Sequence, residues 1–247
     1  MLKALIFDVD GTLADTESAH LAAFNYAFAE LGMGWVWDEV LYTELLNISG
    51  GKERILHYWK LMSPDLREID AMAVSDTISR LHELKTAAYE SAVNGGAVEL
   101  RPGILKLMDE ALGDGLQLAI ATTTSPINIA ALLRRAIGAD WRLNFTAIGD
   151  ASTAPLKKPH PQVYQQILEK IQLHPAHCLA LEDSHNGLLA ATRARLATLI
   201  TPTRYTAHHD FSAALRVVPD LSGIHLNLLR EWHAPPAITT TPTRTRL

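Results

Sequence analysis

Five short apolar runs mark out the 247-residue chain: Leu2 to Phe7, Leu116 to Ala121, Phe145 to Ile148, Cys178 to Leu181 and Ala197 to Ile200. Helix-length segments separate most of them. Apolar runs alternating with helical patterns are what a parallel sheet covered on both faces requires, because each parallel connection must cross over the sheet. The expected fold class is therefore α/β. Between the first two runs lie about a hundred residues, far more than the roughly dozen that one crossover needs. Something is inserted there.

The insert reads as helical. From Glu17 to Leu31, Leu21, Phe24, Phe28 and Leu31 follow three- and four-residue steps, the pattern of an amphipathic helix. Asp65 to Val93 lacks Gly and Pro and spaces Leu66, Ile69, Ala73, Leu81, Leu84 and Ala88 mostly at helical intervals. Trp35 and Trp37 are expected to pack inside this insert. Ala14 to Thr16 and Asn94-Gly95-Gly96 are the expected hinges. The division that follows is a core of residues 1–15 and 97–233, a hinged helical cap of 16–96, and a tail of 234–247. The tail is rich in Pro and Thr, carries no carboxylate, and is expected to be disordered.

Composition narrows the function. A chain with 48% hydrophobic and 20% charged residues and a net charge of −5 has no overall attraction for nucleic acid or an anionic membrane, so an anionic ligand must be captured by a local cluster. The expected partner is a small molecule. A single cysteine, Cys178, allows no intrachain disulfide, which fits a reducing compartment. Asp8 interrupts the first apolar run before it reaches signal-peptide length, and no uncharged stretch is long enough to span a bilayer. A cytoplasmic monomer is expected.

The first run ends in Phe7-Asp-Val-Asp-Gly-Thr-Leu-Ala-Asp-Thr-Glu17. Side chains at i and i+2 of a strand share a face, so Asp8 and Asp10 project together where the chain turns at Gly11. Crowded carboxylates call for a cation, although a polar turn or helix cap would use the same residues. The fourth run repeats the arrangement: Cys178-Leu-Ala-Leu-Glu-Asp-Ser-His-Asn-Gly187 places Glu182 and Asp183 at its end. Neighbouring strands of this kind would gather hard oxygen ligands suited to Mg²⁺. The second run ends in hydroxyls from Thr122, donors for phosphoryl oxygens or simple helix caps. Lys157-Lys158-Pro-His-Pro161 places lysine before a helix that Pro161 could start, either as an anion-binding cation or as surface charge.

Together these segments resemble the haloacid dehalogenase superfamily of phosphohydrolases, through Asp8-x-Asp10-Gly-Thr12, Thr122, Lys158-Pro-x-Pro and Glu182-Asp183-Ser-x-x-Gly187. An insert directly after the first motif resembles the helical cap of the subfamily containing β-phosphoglucomutase. Within it, Asp15-Thr-Glu17, His20, Ile48-Ser-Gly-Gly-Lys-Glu-Arg54, Leu84-Lys-Thr86, Arg101-Pro-Gly103 and Thr201-Pro-Thr-Arg-Tyr-Thr206, followed by Asp210-Phe-Ser212, are similar to the CbbY group. Members of that group are implied to act on xylulose 1,5-bisphosphate.

The resemblance implies a Rossmann-like doubly wound core and a Mg²⁺-dependent phosphatase. Asp8 would be the nucleophile, and Asp10 the general acid and base. Asp8, the Asp10 carbonyl and Asp183 would hold Mg²⁺, with Glu182 nearby. Thr122 and Lys158 would grip the phosphoryl oxygens. Substrate contacts are implied for Glu17, His20, Gly50, Gly51, Lys52, Arg54, Lys85 and Thr123. Ser49-Gly50-Gly51-Lys52 is not a P-loop; with Arg54 it would close on the distal phosphate of a bisphosphate while Glu53 points away, or else form an exposed charged helix start. His20 and Lys85 have ordinary alternatives, a partly exposed histidine and a solvated helix lysine. The pairs His174/His177 and His208/His209, with Cys178 and Asp210, read as core and surface-loop residues rather than metal ligands. A phosphomutase, a phosphoglycolate phosphatase and a non-catalytic phosphometabolite-binding protein are the competing readings.

Overall fold

The computed structural model describes residues 1–63 and 71–234. The tail beyond Ala234 and the positions Leu66 and Ile69 lie outside the described residues. Six strands form one sheet, β1 (Ala4–Phe7), β2 (Gln117–Ala121), β3 (Ala147–Gly149), β4 (Cys178–Glu182), β5 (Ala197–Ile200) and β6 (Arg216–Val217), ordered β3-β2-β1-β4-β5-β6 with every pair parallel. This is the doubly wound Rossmann-type order, whose ligand crevice opens where the strand order reverses, beside β1 and β4.

β5 coincides with its expected apolar run, and β1 to β4 start or end a residue or two from theirs. Leu2 and Phe145 are buried but lie outside the ladder, packing into the core from flanking loops. The sixth strand has no sequence signal: Arg216 and Val217 are both exposed and pair only with Leu199 and Ile200. Alternation sorts the side chains. Leu5, Phe7, Leu118, Ile120, Leu179 and Leu181 belong to one core cluster, while Ala4, Ile6, Ala119, Ala121, Cys178 and Ala180 belong to the other, as period-two geometry demands. The alanine-rich face lets α7 (Gln162–Ile171) and α8 (His185–Arg193) approach closely.

Between β1 and β2 the chain builds α1 (Glu17–Glu30), α2 (Glu39–Leu45), α3 (Gly51–Met62) and α4 (Ala71–Asn94), then re-enters the sheet layer through α5 (Ile104–Gly113). Helices α1 to α4 have their own core. Trp37 lies 4.8 Å from Phe24 and 4.7 Å from Phe28 between ring centroids, and Trp35 packs on Phe28, Tyr58 and Trp59, so both tryptophans are packing residues. One outsider joins this cluster: Tyr205, from the loop after β5. At the return from the insert, Arg101 donates to the carbonyls of Gly11, Thr201, Pro202 and Pro219, tying the β1 turn to the loops beyond β5. Gly103 has φ +85°, and a Cβ there would stand 2.0 Å from the Leu221 carbonyl oxygen, so only glycine fits. Among the described residues, the remaining α-helices are α6 (Pro126–Ile137) and α9 (Leu226–His233). No helix among the described residues is long and apolar enough to cross a membrane.

Candidate active site

Four strand ends meet at the crevice. Asp8 follows β1, Thr122 follows β2, Glu182 ends β4 with Asp183 after it, and Lys158 comes from the segment between β3 and α7. Lys158 Nζ donates to Asp8 Oδ1 at 2.6 Å, Glu182 Oε1 at 2.6 Å and the Ala121 carbonyl at 2.8 Å. All of its protons are therefore engaged, and the ammonium is fixed in place. Burial would lower the Lys158 pKa, but Asp8 and Glu182 outweigh it and hold the group charged.

Ligand oxygens of Asp8, Glu182 and Asp183 lie within 4.8 Å of one another. Burial, then the charges of Glu182 and Asp10, push the Asp8 carboxyl up to about 7 against the opposing pull of Lys158. Burial and the neighbouring carboxylates also push Asp183 well upward. Such a cluster is relieved by a cation or a proton. Gly11 shapes the cradle, since a Cβ there would stand 2.3 Å from Asp183 Oδ2.

A second chain of contacts ends on Asp10. Its Oδ1 accepts from Thr16 Oγ1 at 2.8 Å and lies 3.0 Å from His20 Nε2, while His20 Nδ1 lies 2.8 Å from Lys85 Nζ. An ammonium only donates, so Nδ1 accepts and Nε2 carries the proton directed at Asp10. Burial favours a protonated Asp10, yet His20, Thr16 and Lys85 together hold its carboxyl well below the usual range. Burial and the Lys85 charge push His20 down, which agrees with a neutral imidazole. Burial pushes Lys85 down to about 8.

A cavity of about 340 Å³ covers these groups, walled by the strand ends below and by α1, α3 and α4 above. Glu17, His20, Gly50, Gly51, Lys52, Arg54, Lys85 and Thr123 all line it. His20 and Lys85 are only 5% exposed, so the alternatives of a partly exposed histidine and a solvated lysine are corrected: ring stacking of His20 on Tyr89 at 4.0 Å and the Phe24 and Tyr89 rings around Lys85 enclose them. Arg54 is buried and donates to the carbonyls of Leu45 and Ile48 and to the Tyr42 hydroxyl. It braces the loop before α3 rather than lying open as a charged helix start. Lys52 donates to Ser79 at 3.1 Å on an exposed edge. Glu53 does not point clear of the cavity, because its carboxylate folds back on Gly50 and lines the wall. Pro161 caps α7, which begins one residue later at Gln162.

Several contributors carried no sequence signal. Tyr164 donates to Glu182 Oε1 at 2.5 Å and places its ring 5.2 Å from the Lys158 ammonium. Tyr42 donates to Glu17 at 2.6 Å, fixing a carboxylate that lines the cavity. Asn186 donates to the Asn47 carbonyl at 2.9 Å and to Ser49 Oγ at 3.2 Å, which joins the start of α8 to the loop bearing Gly50. His82 and His209 also line the cavity, so the loop of His208 to Asp210 is part of the site's rim rather than remote surface. Cys178 is a buried core thiol pushed up by burial to about 12.

Strand order and the strand-end cluster mark a Rossmann-type α/β protein with a buried, lysine-bridged acidic site at the carboxyl ends of its strands. A family model for haloacid dehalogenase-like hydrolases matches residues 2–195, and the chain belongs to that family and is an enzyme of the phosphatase type. Among relatives, it is 53% identical over 220 residues to the plasmid-borne protein CbbY of Cupriavidus necator, spanning 89% of this chain and 86% of that protein. It is 44% identical to CbbY of Rhodobacter capsulatus, with 90% and 94% covered. The crystal structure of a CbbY mutant from Rhodobacter sphaeroides in complex with xylulose 1,5-bisphosphate aligns with a TM-score of 0.81 at 39% identity, covering 90% of this chain and 96% of that one. A β-phosphoglucomutase from Clostridium difficile shares the fold at a TM-score of 0.76 and 20% identity.

Proposed function

We propose that this enzyme is a Mg²⁺-dependent sugar-phosphate phosphatase acting on xylulose 1,5-bisphosphate, with helices α1 to α4 serving as a lid over the sheet-borne site. The observation that carries this reading is the position of Asp8, between Lys158 and Asp183 at the floor of a cavity roofed by the inserted helices.

Asp8 has one carboxylate oxygen tied to Lys158, which leaves the other to attack phosphorus and form a phospho-aspartate. Lys158 and the Thr122 hydroxyl then bind the equatorial oxygens over which negative charge spreads. Asp10 sits where the departing sugar oxygen must pass. In the observed arrangement it is a carboxylate, fit to take a proton from the hydrolytic water. The incoming phosphate's negative charge raises its proton affinity, which equips it to protonate the leaving group first. His20, oriented by Lys85, and Thr16 keep Asp10 aimed at the cavity. The Asp8 and Asp183 carboxylates, together with the Asp10 carbonyl, would hold Mg²⁺, consistent with their hard oxygens and raised proton affinities. Glu182, already engaged by Lys158 and Tyr164, would stand beside them. Mg²⁺ so bound supplies charge neutralisation that lets one anion approach another.

The test is a substrate panel with Mg²⁺: xylulose 1,5-bisphosphate, ribulose 1,5-bisphosphate, β-glucose 1-phosphate and phosphoglycolate. Release of phosphate with the highest kcat/KM on xylulose 1,5-bisphosphate is expected. A higher value on another member of the panel, or an isomerised sugar phosphate in place of released phosphate, would contradict the assignment.

A further inference from the structure

Behind the carboxylate cradle stands Arg101, where the chain returns from the inserted helices. Its neighbour Leu100 forms an antiparallel bridge with Ala14, and its own N–H donates to the Leu13 carbonyl at 2.8 Å. The Gly11 N–H donates to the Ala14 carbonyl at 2.8 Å, so the turn that carries Asp10 is closed on itself and fastened to the returning chain. The guanidinium completes the fastening. Nη1 donates to the Gly11 carbonyl and reaches the Thr201 carbonyl at 2.5 Å and its hydroxyl at 3.1 Å, while Nη2 donates to the carbonyls of Pro202 and Pro219 at 3.1 and 3.0 Å. A guanidinium holds its donors in one plane at fixed directions, so acceptors from the β1 turn, the loop after β5 and the loop after β6 take fixed positions around it. Among the described residues no carboxylate pairs with Arg101, and its hydrogen bonds all go to neutral oxygens.

The other side of Gly11 faces Asp183. Gly11 has φ +80°, and a Cβ there would stand 2.3 Å from Asp183 Oδ2, so the Gly11 main chain is the wall against which that carboxylate rests. The Asp10 carbonyl lies one peptide earlier in the same turn. A Gly11 carbonyl without its donor would let the Asp10 carbonyl and the wall beside Asp183 move together. Those two positions bear on two of the three groups assigned to Mg²⁺.

Divalent ions respond differently to such slack. Mg²⁺ requires near-octahedral oxygens at about 2.0–2.1 Å, whereas Ca²⁺ accepts about six to eight oxygens at about 2.3–2.6 Å in flexible geometry. Loosening the cradle therefore penalises Mg²⁺ more. We propose that Arg101 is a positioning residue for the metal cradle: by pinning the Gly11 carbonyl, it tightens binding of Mg²⁺ relative to Ca²⁺. This rests on the reading of Asp8, the Asp10 carbonyl and Asp183 as Mg²⁺ ligands.

The experiment measures Mg²⁺ and Ca²⁺ binding by calorimetry on substrate-free wild type, Arg101→Lys and Arg101→Gln, with urea unfolding of each metal-free protein. Groups that orient metal ligands typically contribute about 10- to 100-fold in affinity, so the Kd for Mg²⁺ should rise by about that factor in both variants. The Kd for Ca²⁺ should stay within about threefold of wild type. Lysine keeps the charge, but its donors sit on a single nitrogen and cannot span the same carbonyls. Arg101→Lys thus separates geometry from charge, and it decides the matter if Arg101→Gln does not unfold cooperatively. Equal weakening of the two ions, an unchanged Kd for Mg²⁺ beside a lowered urea midpoint, or wild-type Mg²⁺ affinity in Arg101→Lys would overturn the inference alone. Mg²⁺ binding that survives at wild-type strength in Asp183→Asn would overturn the metal reading and the inference with it.

Discussion

Lys158 Nζ lies 2.6 Å from Asp8 Oδ1 across 150 residues of sequence, and it donates to Glu182 Oε1 at the same distance. This ammonium holds the nucleophile, and it also keeps two buried carboxylates from facing each other unpaired. Lys158→Met should therefore lower kcat by about 10²- to 10³-fold, the usual effect of removing a group that stabilises transition-state charge. It should also cost stability, since breaking a buried pair on one side typically costs about 3–5 kcal/mol. Steady-state kinetics and urea unfolding check the two effects separately.

Lys85 gives a pH signature. Burial lowers it from 10.5 to about 8, and its proton fixes the tautomer of His20 that donates to Asp10. Activity should fall as pH rises through about 8. The contribution to stability has the opposite sign: the unfolded chain holds this proton between about 8 and 10.5 while the folded one has released it, so the penalty of the buried charge disappears over that range. Lys85→Arg should move the alkaline limb of the kcat/KM profile upward. A limb that stays near pH 8 in that variant would assign it to another group.

The carboxylate cluster predicts how metal and pH combine. Asp8 is raised from 3.8 to about 7 in the absence of a cation, so the folded state binds the extra proton and loses stability as pH rises across that window. Mg²⁺ should reverse the loss, and its effect should grow over the same range because the ion needs the carboxylate. At about 100 times its Kd, Mg²⁺ should raise Tm by about 5–10 °C at pH 8, by less at pH 5.5, and a chelator should abolish the gain. Differential scanning calorimetry at the two pH values tests this without any turnover.

Tyr205 bridges the sheet layer and the inserted helices. It is 2% exposed, its hydroxyl lies 3.1 Å from Ser18 Oγ and 3.3 Å from Glu39, and its ring meets Tyr42 edge-on at 6.1 Å. Arg204 beside it pairs with the exposed Glu39 at 2.5 Å, a contact expected to add little. Tyr205→Ala should destabilise the protein by about 3–5 kcal/mol, as loss of a large buried aromatic does. Arg204→Ala should leave the urea midpoint close to that of wild type. Urea titration followed by tryptophan fluorescence reports on both, because Trp37 lies in the same cluster.

Much of this site was legible in the chain because it depends on strand ends. Period-two alternation places Asp8 on the alanine face with Lys158 and Tyr164, and the apolar run before Glu182 makes β4 a partner of β1. Of the inserted helices, α1 and α4 were legible from helical spacing, whereas α2 and α3 were not marked by it. Less visible were side chains whose burial depends on tertiary packing. Lys85 and His20 look solvent-facing until Tyr89 and Phe24 close over them, and the bracing of Arg54 by the loop carbonyls of Leu45 and Ile48 has no local pattern to announce it. Asn186 and Tyr205 act across contacts between segments far apart in sequence, which no local pattern encodes. Strand β6 was hidden for a different reason: two exposed residues leave no apolar run to find.

The central proposal is that Asp8 carries the phosphoryl group between substrate and water. Rapid acid quench of enzyme turning over xylulose 1,5-bisphosphate with Mg²⁺, followed by peptide mass spectrometry, tests it most directly. Phosphate is expected on the peptide containing Asp8 during turnover, and none in Asp8→Asn. Steady phosphate release with no labelled Asp8, or with the label on another residue, would contradict it.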